Sequence, residues 1–227
     1  MKLAYVISFC LFLNSSYSQD LYTYEKIDST LHAWQNIFGD TSHPSNDYNG
    51  FGIIYNLDTI GYSSQDNLPI YAVKLSAHAD IKEAQPRVLI LGQCHAEEIY
   101  GVEIAMEIIN QFLHPEQFQG NRTFLQKGLY FTEIWIVPTY NPEGLRVVHG
   151  YVEDGDEIQD VTYRKNKRDT DNNGAFDFID GIGQDTDGVD LNRNYDFNWI
   201  FGDTLLQSCD PTVSDCSYND DYDYYKG

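Results

Sequence analysis

VLILGQCHAEE, residues Val88 to Glu98, is an apolar run that passes at once into polar and ionisable side chains. Val88 to Leu91 reads as a short strand buried on both faces, since a wholly apolar run of that length suits the middle of a covered sheet. Ile99 to Leu113 (IYGVEIAMEIINQFL) follows with apolar residues at helical spacing and reads as a helix. A strand feeding a helix is the repeating unit of α/β folds, and sites in such folds commonly lie at the ends of strands.

The flanking chain extends this pattern. Leu129 to Pro138 (LYFTEIWIVP) reads as a second buried strand, and Gly52 to Tyr55 and Ile70 to Leu75 are rich in β-formers. Tyr24 to Phe38 reads as a helix, with Ile27, Leu31, Trp34 and Phe38 on one face. The expected fold class is α/β, a central mostly parallel or mixed sheet flanked by helices. Beyond Tyr151 turn residues and acids dominate, and the chain reads as loops. No repeat, linker or boundary interrupts residues 21–227.

The chain has 227 residues, enough for one large domain or two small ones. Lys and Arg total 14 against 35 Asp and Glu, a net charge of -21. Phosphate binding needs clustered cations, so nucleic acid and anionic membrane surfaces are excluded as main partners. From Asp154 onward there are 18 acids and 6 bases, so the acidity is concentrated in the loop-like part. After the first 13 residues no apolar run approaches the ~20 residues that span a bilayer.

Met1-Lys2, the apolar Leu3 to Leu13 and the small polar Asn14 to Ser18 have the three-part layout of a secretory signal peptide. A buried terminal strand or helix is the competing reading. The expected division is a signal peptide at 1–18 and one domain portion at 19–227, with a secreted or periplasmic destination. Export would expose Cys94, Cys209 and Cys216 to oxidation, and Cys209 and Cys216 are close enough in sequence to close a small loop. Spacing leaves open whether they do.

His95 and Glu98 are three apart, so on a helical turn they share a face and can share an ion. Imidazole nitrogen and carboxylate oxygen both suit zinc. Glu97, two along, points elsewhere. A lone H-x-x-E is weak evidence, because surface pairs produce it by chance.

Three further segments follow in order: Asn141-Pro142-Glu143-Gly144 after a strand, Tyr163-Arg164-Lys165-Asn166-Lys167-Arg168, and Gly188-Val189-Asp190-Leu191-Asn192-Arg193-Asn194-Tyr195. Together with GQCHAEE they resemble the zinc carboxypeptidase family of the carboxypeptidase A type, over about Tyr22 to Gly227. Ile60 to Leu75 also resembles that family's early hairpin. The resemblance implies that His95 and Glu98 are the first two zinc ligands. It implies that Arg164 polarises the scissile carbonyl and stabilises its oxyanion. Asn192 and Arg193 would hold the terminal carboxylate of a peptide or protein substrate. The residue types fit, since a guanidinium presents a planar fork that matches a carboxylate.

The family's third ligand is a histidine well downstream of the Asn-Arg pair, and its catalytic glutamate lies later still. Of the six histidines here none follows His149, and the last glutamate is Glu157. Asp223 to Gly227 resembles a mid-domain Y-x-G segment of the family. The expectation is therefore the N-terminal portion of an exported zinc metallocarboxypeptidase, truncated on the C-terminal side and inactive alone. A family member cutting cell-wall peptides and a non-catalytic, calcium-dependent peptide-binding module are the alternatives.

The stretch after Arg168 fits calcium-loop spacing. Asp169, Asp171 and Asn173 take positions one, three and five, and Gly174 takes the turn. The Ala175 carbonyl, Asp177 and Asp180 take seven, nine and twelve. Asp185 and Asp187 are candidates for a second, weaker site. A solvated, turn-rich loop uses the same residue types.

Overall fold

The computed structural model describes residues 21–43, 51–117, 122–179 and 187–195. The leader at 1–18, Asp180, Asp185, Cys209, Cys216 and Asp223 to Gly227 lie outside them. Helix α1 (Tyr24–Phe38) starts where the Thr23 hydroxyl accepts from the Lys26 N–H at 3.3 Å, meeting one of the N–H groups that every helix start leaves open. It buries Tyr24, Ile27, Leu31, Trp34 and Phe38, the face its 3- and 4-residue spacing predicts.

Four strands form the main sheet: β1 (Tyr55–Tyr62), β2 (Pro69–Leu75), β3 (Arg87–Gln93) and β4 (Glu133–Thr139), in the order β1-β2-β4-β3. β2 pairs antiparallel with β1 and β4, while β3 and β4 run parallel, so the sheet is mixed. Helix α2 (Tyr100–Leu113) supplies the crossover that leaves β3, and α3 (Arg122–Phe131) leads into β4. Val73 and Leu75 of β2 and Ile134 and Ile136 of β4 alternate onto one face and share a core with α1 and α2. Helix α4 (Pro142–His149) follows β4, and a small hairpin of β5 (Tyr151–Glu153) and β6 (Asp156–Ile158) comes next.

Several local expectations change. The strand expected at Gly52 to Tyr55 begins only at Tyr55 and runs on to Tyr62. Leu129 to Phe131 closes α3 instead of opening β4, because Leu125 and Leu129 stand four apart and bury the same helical face. Val88 to Leu91 is not buried on both faces: Val88 is 47%, Leu89 63% and Leu91 50% exposed. β3 is an edge strand among the described residues, and Leu89 and Leu91 project from the face opposite Ile90, which packs on the core. Among the described residues beyond Tyr151 the loop-like reading holds, apart from the β5–β6 hairpin and a short 3-10 turn at Leu191–Arg193.

Candidate active site

β3 and β4 end side by side, with Gln93 paired to Thr139. Beyond them the chain makes two turns, one through Cys94 to Ile99 and one through Tyr140 and Asn141. The first is not helical. His95 and Glu98 are joined by a hydrogen bond from the Glu98 N–H to the His95 carbonyl at 3.1 Å, and α2 begins only at Tyr100. This i to i+3 turn still brings the two side chains together.

Asn141 ties the turns to the third segment. Its side-chain Nδ2 donates to the carbonyls of Cys94 and Lys165, each at 3.0 Å, while its Oδ1 accepts from the Gly144 N–H at 3.1 Å and caps α4. The Ala96 N–H donates to the Arg164 carbonyl at 3.1 Å. A Cβ on Gly144 would stand 2.6 Å from the Lys165 carbonyl oxygen and 2.8 Å from Ala96 Cβ, so this approach requires glycine. The 187–190 segment is tied in as well, with Val189 N–H donating to Asn166 Oδ1 at 2.8 Å and Gly188 N–H to the Arg168 carbonyl at 2.8 Å. Gly188 has φ +91° there, a conformation open mainly to glycine.

These links converge on a buried polar cluster. His95 is 6% and Asp190 0% exposed. His95 Nε2 lies 3.1 Å from Asp190 Oδ1, and its Nδ1 lies 3.3 Å from Glu98 Oε1. The Arg164 guanidinium donates through Nε to Asp190 Oδ2 at 2.9 Å and through one Nη to Glu97 Oε1 at 3.0 Å. Its other Nη lies 2.8 Å from His95 Nε2. Burial works against the Arg164 cation, but Asp190 and Glu97 outweigh it and hold its pKa above the ordinary value.

The donor set fits a zinc ion. His95 Nδ1 is buried and has no hydrogen-bond partner, although buried nitrogens are almost always satisfied. Two ligand atoms about 2.0–2.1 Å from a tetrahedral ion lie about 3.3–3.4 Å apart, the spacing of Nδ1 and Glu98 Oε1. A proton on Nε2 facing Asp190 leaves the Nδ1 lone pair free, the carboxylate–histidine arrangement common behind metal-binding imidazoles. The Glu98 side chain is 60% exposed, so the place between them opens outward.

A family model described as zinc carboxypeptidase matches residues 50–222. The chain belongs to the zinc carboxypeptidase family. A zinc carboxypeptidase of Saccharothrix mutabilis subsp. capreolus is 27% identical over 161 residues, which is 70% of this chain and 30% of that protein. Among solved structures, thrombin activatable fibrinolysis inhibitor superposes with a TM-score of 0.60 at 19% identity, covering 94% of this chain and 41% of the other. Carboxypeptidase A from Helicoverpa armigera gives 0.59 at 19%, covering 91% and 38%. The chain thus spans well under half the length of these relatives, and its mixed sheet with flanking helices is a carboxypeptidase A-like fold.

In this member of the family the expected carboxylate-binding pair sits on a short 3-10 turn, Leu191–Arg193. Asp190 caps it, its Oδ1 accepting from the Asn192 N–H at 2.9 Å, so one carboxylate serves both this turn and His95. Asn192 and Arg193 are exposed. Leu191 and Asn194 border a cleft of about 380 Å³ shared with Ser64, Asn166 and Arg168.

The acidic loop after Arg168 departs from its expected ligand order. Asp169 and Asp171 gather with Asp187, their carboxylate oxygens within 4.8 Å of one another. Asp187 is fully buried and accepts from the Thr170 and Asp177 N–H groups at 2.9 and 2.8 Å. Asn173 Nδ2 bridges Asp171 and Asp177 at 3.0 and 2.7 Å, and its Oδ1 accepts from the Ala175 N–H. Position twelve, Asp180, lies outside the described residues.

Asp190, Asn141 and Glu97 are site residues without an assigned role in the sequence analysis. All three stand inside the ordered motifs. A buried carboxylate behind a histidine and an amide stitching three segments become visible only once distant segments meet.

Proposed function

We propose that this chain carries the first two zinc ligands and the carboxylate clamp of an exported metallocarboxypeptidase. The enzyme would remove C-terminal residues from peptides. The observation that carries the reading is the buried, unpartnered Nδ1 of His95 placed 3.3 Å from Glu98 Oε1. Zinc, when bound, would supply Lewis acidity toward a water and the scissile carbonyl. His95 and Glu98 would hold the metal, with Asp190 fixing the imidazole tautomer. Arg193 and Asn192 would receive the substrate's terminal carboxylate, with room for a residue in the neighbouring cleft. The Arg164 cation, in a site mostly withdrawn from water, would stabilise negative charge developing on the carbonyl oxygen. The third ligand and the general base have no counterpart in the matched motifs, and this reading assigns them to polypeptide beyond these residues. The apolar Leu3 to Leu13 supports the export part of the reading.

The test is the full polypeptide, assayed for zinc content and for hydrolysis of one peptide with a free and with an amidated C-terminus. Zinc-dependent release of the last residue from the free peptide alone is expected. Equal turnover of both forms points to an endopeptidase and rejects the clamp. Peptide binding without turnover favours the non-catalytic module, and turnover of cell-wall peptides alone favours that branch. N-terminal sequencing of secreted protein should begin near Gln19, and a retained Met1 rejects the leader. Calcium in the acidic loop, expected from Asp169 to Asp180, is a separate proposal, in which the gathering of Asp169 and Asp171 with Asp187 would replace the expected ligand order. Titration calorimetry with calcium tests it, and an absence of binding heat removes it.

A further inference from the structure

The turn that carries His95 and Glu98 also carries Glu97, which the metal-ligand spacing leaves without a task. Its side chain is partly exposed, but its carboxylate turns inward to Arg164. Oε1 accepts from an Arg164 Nη at 3.0 Å, and Oε2 is buried with no hydrogen-bond partner.

Arg164 reaches three side chains of the cluster. Nε goes to Asp190, one Nη to Glu97, and the other Nη faces His95 Nε2 at 2.8 Å. The last contact conflicts with metal binding. His95 Nε2 either accepts from Arg164 or donates to Asp190, 3.1 Å away. Accepting places the ring proton on Nδ1 and closes that nitrogen to a metal. Donating frees Nδ1 but sets two N–H groups against each other across 2.8 Å. When Nδ1 is used for a metal, the Arg164 Nη must therefore leave His95 and turn toward another acceptor.

We propose that Glu97 is a positioning residue for Arg164. With Asp190 it grips two corners of the guanidinium, so that the third corner turns away from His95 within the cleft and stays available to an oxyanion. The inference rests on the functional reading above. It adds a reason for a carboxylate between the two candidate ligands, one that works through Arg164 and touches neither metal nor substrate.

Two substitutions in the full polypeptide separate position from charge. Glu97→Gln keeps an oxygen that can accept from the Nη, whereas Glu97→Ala keeps nothing. In the zinc-loaded protein Glu97→Ala should lower kcat about tenfold or more with KM within about twofold, since an oxyanion donor acts in the transition state. Glu97→Gln should recover most of that loss. Both variants should retain the parent's zinc stoichiometry.

A second readout needs no activity. In zinc-free protein the Arg164 Nη nitrogens should give separate, slowly exchanging NMR signals in the parent and in Glu97→Gln, and averaged signals in Glu97→Ala. Unchanged kcat and unchanged signals in Glu97→Ala overturn the proposal, and so does a Glu97→Gln as impaired as Glu97→Ala. A parent that takes up no zinc and cleaves no peptide defeats the functional reading, while the NMR comparison still decides the positioning of Arg164.

Discussion

The two ends of the parallel β3–β4 pair each bury a cluster of charges, and they are built to opposite standards. At the start of the strands Glu133 accepts from Arg87 Nε at 2.6 Å and from the Glu83 N–H at 3.3 Å, and pairs with Lys74 at 3.3 Å. Lys74 in turn donates to the Ile81 carbonyl. At the far end His95 Nδ1 and Glu97 Oε2 are buried and unmet. A fully met buried network rigidifies a fold, while a partly met one is costly. The contrast separates a structural cluster from the one proposed above as a metal site.

That contrast can be broken by substitution. His95→Ala or Glu98→Ala in the full polypeptide should abolish most zinc binding and lower peptidase activity by on the order of a thousandfold or more, since each removes a ligand of a catalytic metal. Glu98 is exposed, so Glu98→Ala should change the stability of the metal-free protein by only about 0.5 kcal/mol. Glu133→Ala should do the reverse. It strands the buried Lys74 cation and should cost about 3–5 kcal/mol in denaturant unfolding, with zinc content unchanged. Matching losses of stability in the two variants would erase the distinction.

Arg193→Ala sharpens the comparison from the substrate side. Its charged hydrogen bonds to a carboxylate are worth about 1.5–3 kcal/mol, so KM for free-C-terminal peptides should rise roughly 10- to 100-fold. Zinc content should stay as in the parent, and an unchanged KM would remove Arg193 from the clamp.

The smallest effect is in acid. Burial alone would raise the Glu133 pKa, but Arg87, the Glu83 N–H and Lys74 outweigh it and bring it from 4.5 to about 2. A carboxylate held below its unfolded value adds stability that is complete above the unfolded pKa and is lost as pH falls through the folded one. Stability should therefore drop between about pH 4.5 and pH 2, and thermal melts of Glu133→Gln should show a shallower fall across that window. Equal slopes would mean that other carboxylates govern the acid limb.

The sequence disclosed the ordered motifs and most elements, because α1 and α2 bury faces with clean periodicity and β2 is rich in β-formers. It disclosed the His95–Glu98 pairing although the turn is not a helix, since both geometries bring i and i+3 together. It misread Leu129 to Pro138, where the end of one helix and the start of a strand are both apolar and periodicity gives no boundary. It misread the cover on Val88 to Leu91, which depends on neighbours that no local pattern encodes. Asp190 and Glu97 escaped it because their partners lie 95 and 67 positions away in the chain.

The Asn141 amide has a consequence for the order of assembly. It joins carbonyls 47 residues back and 24 residues ahead, while the β1–β2 hairpin and α2 close over short spans. Contacts of long sequence separation carry the larger loop-closure entropy and tend to form late. During refolding the helical and hairpin signals should accordingly appear first, and competence to bind metal should arrive with the last cooperative step, since no two of the three segments make the centre without the third.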